Sequence, residues 1–467
     1  MAGERIVWQT TQKERVLYYG FSFGQIIFYT TMVSFLQIFL TDIGITAAAV
    51  GIILLVARVW DAVNDPMFGV IVAKSSLKGG KYKPWLKISP VLIFGFTVLL
   101  FALPAGSTGS GAAFSPAIKT ALAAVLYICW GMSYTICDVP YFSVVSVMTS
   151  QVAERNSVIG RGRLFTMIGA ALVTVVMPLL YPSWGWFPAA ALMAAAAFLF
   201  MFPLGFAAKE RIHNADSQEK APALGEIVRA VGKNRYLLIL CAAILVTNIT
   251  NTTSTIAGYF AIHCLGGPQR IPLITTVPLL VSVLFTAFAP AIIRRVDKFR
   301  VYLICFAVAF VTCFGIFFTG YSNLAVFVIL SILRTTSLMF IGTFIILFIV
   351  DCAEYGRYKT GEDITAVSVS LQTFTVKAIS AMSAALGMFV LGLSGFIDGA
   401  GAVQPPEVIN ALFILISIVP AAGVSGGFLI LFFGYKLRDN YVQVMAKVNN
   451  GELGREEAQA QLPKIFS

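Results

Sequence analysis

Twelve apolar stretches follow one another through the 467 residues, each long enough to cross a bilayer: 17–41, 46–73, 85–104, 116–148, 159–182, 184–207, 236–264, 271–293, 301–320, 323–351, 364–395 and 406–436. A helix needs roughly 20 apolar residues to span the hydrocarbon core. Lipid offers no hydrogen bonds, so a spanning backbone must satisfy itself, and runs of this length do so as helices. A membrane β-barrel would show short alternating segments instead. Only 12% of the chain is charged and 58% is hydrophobic, against roughly 25% charged in a soluble domain. The pattern predicts an all-α membrane protein with twelve transmembrane helices, called spans 1 to 12 below.

The charges sit mostly between the spans. Basic residues fill alternate connections: Lys74 to Lys83, Arg155 to Arg163, Lys209 to Arg235, Arg294 to Arg300, and Arg357 with Lys359. Arg270 is the main exception. By the positive-inside rule both termini are expected on the cytoplasmic side of a cell (inner, plasma) membrane. A net charge of +11 would suggest nucleic acid in a soluble protein. Here it sets topology next to the lipid bilayer, and no nucleic-acid partner is implied. The longest polar insertion, 208–235, divides the chain into two six-helix halves, 1–207 and 236–436, and leaves a polar tail, 437–467. The seven cysteines are scattered with no CxxC pair, which fits small packing residues. The start of the chain is polar and charged through Arg15, and its first apolar run is already a full span. No cleavable signal is expected.

The costly residues lie inside the spans. An ionised side chain at the bilayer centre costs about 2.5–3.5 kcal/mol on insertion scales, so each is a functional candidate. Span 2 holds Arg58, Asp61, Asn64 and Asp65 within eight residues. Asp61 and Asp65, four apart, share a helix face. In span 4, Asp138 stands between Thr135 and Pro140, with Phe142 one turn on. A carboxylate beside an aromatic plane suits a sugar, whose hydroxyls donate and whose C–H face stacks. A structural ion pair is the bland alternative. Lys377, near the middle of span 11, would pair with one of these acids or lock packing. Arg334 of span 10 would attract an anionic group, snorkel or pair. Asn248 and Asn251 of span 7 would line a sugar path or hydrogen-bond between helices. A hard cation prefers carboxylate, amide and hydroxyl oxygens. Asp61, Asn64, Asp65 and Thr135 supply that set if spans 2 and 4 pack together.

Five motifs carry a resemblance. They are Arg-Val-Trp-Asp-Ala-Val-Asn-Asp-Pro from Arg58, Gly-Gly-Lys-Tyr-Lys-Pro-Trp from Gly79, Tyr-Thr-Ile-Cys-Asp-Val-Pro from Tyr134, Asp-Cys-Ala-Glu-Tyr-Gly-Arg-Tyr from Asp351, and Gln-Thr-Phe-Thr-Val-Lys from Gln372 to Lys377. Together, and in this order, they resemble the glycoside–pentoside–hexuronide:cation symporters of the major facilitator superfamily. The resemblance implies the major-facilitator fold and alternating access. It implies sodium held by Asp61, Asn64, Asp65 and Thr135. It implies sugar held at Asp138 and Arg163, with Lys377 near both sites. Thr373, in the same motif as Lys377, joins the candidate sugar set, which also takes in Phe142, Asn248 and Asn251; Arg58 joins Lys377 as a coupling candidate. The galactoside-transporting pattern has an acid in helix 1 where this chain reads Phe23-Gly24-Gln25-Ile26, and tryptophans where it has Phe142 and Gly342. The cation set is retained while the sugar pocket differs, and an acidic sugar is one candidate.

The expected function is import of a glycoside with Na+ by a monomeric, non-enzymatic symporter that needs no cofactor beyond the coupling ion. The alternatives are H+-coupled sugar symport and H+-coupled export of another solute. An intramembrane aspartyl enzyme, pairing Asp61 with Asp138, lacks a Gly-flanked catalytic aspartate.

Overall fold

A computed structural model describes residues 8–74, 79–104, 115–211, 232, 234–286, 288, 297–360, 365–399, 401–449 and 452–462. Its helices of seven or more residues are α1 (Gln12–Asp42), α2 (Ala47–Lys74), α3 (Lys83–Phe101), α4 (Pro116–Met148), α5 (Val152–Trp184), α6 (Trp186–Met201), α7 (Arg235–Thr247), α8 (Thr252–His263), α9 (Thr276–Thr286), α10 (Lys298–Thr319), α11 (Leu324–Thr360), α12 (Thr365–Leu393), α13 (Pro406–Gly434), α14 (Asp439–Asn449) and α15 (Arg455–Gln461). No strand occurs among the described residues. Ten helical stretches among them are long and apolar enough to cross a membrane, and α2 and α12 occupy the two remaining expected spans. Most of the insertion 208–235 lies outside the described residues.

Span 7 is not one helix. A 3-10 turn at Asn248–Asn251 separates α7 from α8. Span 10 outruns its expected end, because α11 continues to Thr360. Its last turns are held by the tail: Asn449 donates to the Glu354 carboxylate at 2.8 Å and Arg455 to the Tyr358 carbonyl at 3.3 Å. The tail itself forms α14 and α15.

The chain forms two compact units. The first comprises Met1–Ser217, Ala257–Pro272 and Ala384–Ala411. Within it α1 packs on α5 and α6, α2 on α4, and α3 on α4 and α6. Small residues set the spacing, as is usual where lipid gives helices no hydrophobic drive to associate. A Cβ on Gly169 of α5 would stand 2.5 Å from Ile26 of α1, and one on Gly24 of α1 would strike the Ala197 carbonyl of α6. At one end, α1 opens with a capping box between Thr11 and Glu14, and Arg211 pairs with Glu14 at 2.8 Å. There the Glu210 carboxylate accepts the backbone N–H groups of Lys81, Tyr82 and Lys83 at 2.7–2.8 Å, where α3 begins. Gly80, at φ 126°, lets the loop wrap this carboxylate; a Cβ there would lie 2.7 Å from it. At the other end, the Tyr259 hydroxyl of α8 donates to the Gln37 carbonyl at 2.7 Å and meets Thr41 at 3.1 Å. Beside it Gly399 N–H donates to the Thr41 carbonyl at 3.0 Å, and Ala47 N–H to Asp398 at 3.2 Å.

The second unit comprises Gln218–Ile256, Leu273–Ser383 and Leu412–Ser467. Its core is aromatic: Tyr435 packs against Tyr236, Phe299 and Phe348 at ring distances of 5.9, 5.8 and 5.3 Å. Lys298, at the start of α10, bridges Asp351 of α11 at 2.6 Å and Asp439 of α14 at 2.9 Å. Gly423, Gly426 and Gly427 bring α13 against Val246 and Thr247, where span 7 breaks.

Glu154, at the start of α5, is fully buried. Burial alone would raise its carboxyl. The hydrogen bonds from Thr10 and Thr149 and from the Gln9 and Thr10 amides outweigh that and bring it from 4.5 down to about 2. A depressed carboxyl stabilises the fold above its unfolded value and loses that contribution as pH falls through its folded value. Glu154→Gln should therefore lower the unfolding temperature of the detergent-solubilised protein most at neutral pH. The gap from wild type should shrink below pH 4.5. Glu154→Ala should cost more, since each buried donor left unpaired costs about 1–3 kcal/mol.

Candidate functional site

Asp61 of span 2 faces α4. Arg58 Nη1 lies 3.6 Å from Asp61 Oδ2, one helical turn along. On α4, a Cβ at Gly131 would stand 2.9 Å from Asp61 Oδ1. Thr135, one turn further, is buried and donates its hydroxyl to the Gly131 carbonyl at 3.2 Å. Asp61 and Thr135 thus converge on one turn of α4, and only a glycine there lets the carboxylate come so close. Asn64 is 8% exposed, and its Nδ2 has no hydrogen-bond partner among the described residues. The Asp65 side chain lies outside those described. Carboxylate, hydroxyl and amide oxygens of this kind suit a hard cation.

Asp138, two turns below Gly131 on α4, accepts a hydrogen bond from Gln25 Nε2 of α1. α4 continues as one helix through Pro140. Below Asp138, Tyr141 stacks on Tyr18 at 4.9 Å and on Phe21 at 5.1 Å. Its hydroxyl meets Ser22. Phe142 is 64% exposed with its ring against Tyr141. Arg163 is exposed on α5. Above Asp138, Tyr127, Trp130 and Tyr134 stack in sequence along α4, and Tyr29 of α1 lies against Tyr134 at 5.4 Å. The first unit therefore lines its α1–α4 seam with a carboxylate, an amide and a run of rings.

The second unit holds a cavity of about 270 Å³ against the broken span 7, bounded by α7, α8, α10, α11 and α13. Ligand sites run roughly 300–1,000 Å³, so this is a small one. In a 3-10 turn residues three apart eclipse, and Asn248 and Asn251 both line the cavity. Asn251 Nδ2 donates to Asn248 Oδ1 and to Ser380 Oγ, each at 3.2 Å. Thr373 and Lys377 belong to α12, but their side chains lie outside those described.

Sequence reasoning missed Gln25, Gly131 and the Tyr127–Trp130–Tyr134 run. Gln25 was visible as an amide inside an apolar stretch. Gly131 carried a weaker signal, a glycine one turn before Thr135. Nothing in the sequence showed that Asp61 would meet it.

A sequence profile described as "MFS/sugar transport protein" matches residues 18–439. The uncharacterized symporter YjmB of Bacillus subtilis strain 168 is 29% identical over 442 residues, covering 91% of this chain and 93% of that protein. The glucuronide carrier protein homolog of Escherichia coli strain K12 is 28% identical over 447 residues, covering 92% of each. Among solved structures, the nucleoside transporter NupG superposes with a TM-score of 0.64 at 12% identity, over 91% of this chain and 100% of that one. At that identity the likeness concerns the fold alone.

Proposed function

The chain belongs to the major-facilitator sugar transport family, among the glycoside–pentoside–hexuronide:cation symporters, and from that premise we propose that it imports a glycoside together with Na+ by alternating access. The family comprises membrane transporters, not enzymes, which removes the aspartyl-enzyme alternative. The observation that carries the cation half is the approach of Asp61 to the Gly131–Thr135 turn. Asp61, Asn64, Asp65 and Thr135 make up the sodium site, sodium being cargo and no resident cofactor being required. Asp138, held by Gln25, receives sugar hydroxyls, and Phe142, Arg163, Asn248, Asn251, Thr373 and Lys377 complete the sugar set. Arg58 already faces Asp61. Arg58 and Lys377 are the coupling residues of this reading.

The coupling follows from charge. The empty site leaves acids in a low-dielectric environment, and a bound cation offsets them. Cation binding thereby favours the form that takes sugar, and linkage requires the converse. The same carboxylates would carry H+ in a proton-coupled variant. Uptake driven by a sodium gradient at fixed pH separates the two. The protein works as a monomer in the plasma membrane with both termini in the cytoplasm.

Asp61→Cys and Asp65→Cys should abolish sodium-stimulated glycoside uptake into membrane vesicles while the protein still inserts. Wild-type stimulation in both would refute the site. Asp138→Ala should lose glycoside binding and keep sodium binding in calorimetry; an unchanged glycoside affinity would remove Asp138 from the sugar set. Gly131→Ala crowds Asp61 without touching charge, and should weaken sodium affinity by roughly tenfold, the lower end for a residue that positions a ligand. Glycoside affinity at saturating sodium should change little.

A further inference from the structure

Arg334 is the residue that the cation and sugar sets leave unexplained. It is 6% exposed, inside a membrane-spanning helix, and lines the cavity of the second unit. Among the described residues no carboxylate lies within ion-pair distance of it. A guanidinium carries five N–H donors. One, on Nη1, goes to the Ile416 carbonyl of α13 at 2.7 Å, and the group also bonds Cys313 of α10. The first of these has a cause in the sequence. Pro420 stands four residues after Ile416 inside α13. A proline has no N–H, so the carbonyl one turn before it loses its helical partner. Arg334 fills that gap and is thereby fixed to the cavity wall.

The rest of the cavity is built from neutral polar groups. Asn248 and Asn251 present amides from the 3-10 turn. Thr247 and Thr253 also line it, each with a buried hydroxyl that has no hydrogen-bond partner among the described residues. A buried, fixed guanidinium with spare donors and no counter-charge beside it among the described residues is costly unless an anion visits. A carboxylate matches its planar fork bidentately. The amides and hydroxyls around it match the hydroxyls of a sugar ring.

We propose that this cavity is the carboxylate subsite of the substrate path, and that the glycoside carried is a uronide whose carboxylate is bound by Arg334 between α11 and the broken span 7. The proposal deepens the sugar-symport reading and rests on it. Arg334 sets charge selectivity, and Asn248 and Asn251 orient the ring that bears the acid. A neutral glycoside would leave the guanidinium without its anion and is selected against.

Four probes decide it: the methyl β-glycosides of glucuronic and galacturonic acid and of glucose and galactose, which differ within each pair only at the carboxylate. Binding to the purified full chain is followed by calorimetry at saturating sodium, beside gradient-driven uptake into proteoliposomes. Wild type should bind at least one uronide more than tenfold tighter than its neutral partner. Arg334→Gln should erase that preference, and Arg334→Lys, which keeps charge without the fork, should retain part of it. The wild-type comparison needs no variant to fold. Equal or better binding of the neutral glycosides overturns the proposal, as does an Arg334→Gln protein that loses both classes equally, the signature of a purely structural arginine. Cation-driven uptake of neutral glycosides alone would leave the symport reading standing and defeat this one. Tight uronide binding that shows no cation dependence would do the reverse.

Discussion

A charged side chain in a hydrocarbon slab has to be answered by another group, and in this protein the answers hold helices in place. Lys119 of α4 donates to the Ile43 carbonyl at the end of α1. Outside the spans, in the basic connection before span 9, Lys298 likewise joins α10 to α11 and to the tail helix α14 through two carboxylates. Arg334 ties α11 to α13 through a carbonyl that Pro420 has left open. Lys119 and Arg334 meet carbonyls where a helix ends or has lost a backbone partner, so cost and stabilisation fall at the same spot. Asp61 and Asp138, the acids proposed to serve transport, face Arg58 at 3.6 Å and a glutamine amide.

Close approach is the second constraint, and glycine supplies it. The same device appears in helix packing, at Gly24, Gly169 and Gly427, and at the candidate site, at Gly131. At Gly131 the absent Cβ leaves room for a carboxylate, where elsewhere it leaves room for a backbone. The residues that assemble the site and those that assemble the bundle thus follow one steric rule.

Much of this was legible beforehand. Apolar length alone marked the spans, and the expense of Asp61, Asp65 and Asp138 in lipid singled them out. What escaped depended on contacts far apart in sequence. Lys119 sat unremarked within the fourth apolar stretch because nothing local showed that it would reach Ile43. α11 outran its expected end because its last turns are stabilised by Asn449 and Arg455 of the tail. The polar run from Asn248 to Thr255 marked span 7 as unusual, but not its 3-10 break, which forms where α13 packs closely on Val246 and Thr247. Arg334 read as an isolated charge until its proline-freed acceptor, 82 residues away, came into view.

The end of the first unit remote from Gln12 is closed by four hydrogen bonds: Tyr259 to Gln37 and to Thr41, Gly399 to Thr41, and Ala47 to Asp398. At about 0.5–1.5 kcal/mol net apiece they amount to a few kcal/mol. One elementary charge moving through a 100 mV membrane potential releases about 2.3 kcal/mol. Together the four bonds are of the same order as that electrical work, and the three that involve no carboxylate are insulated from changes in ionic strength.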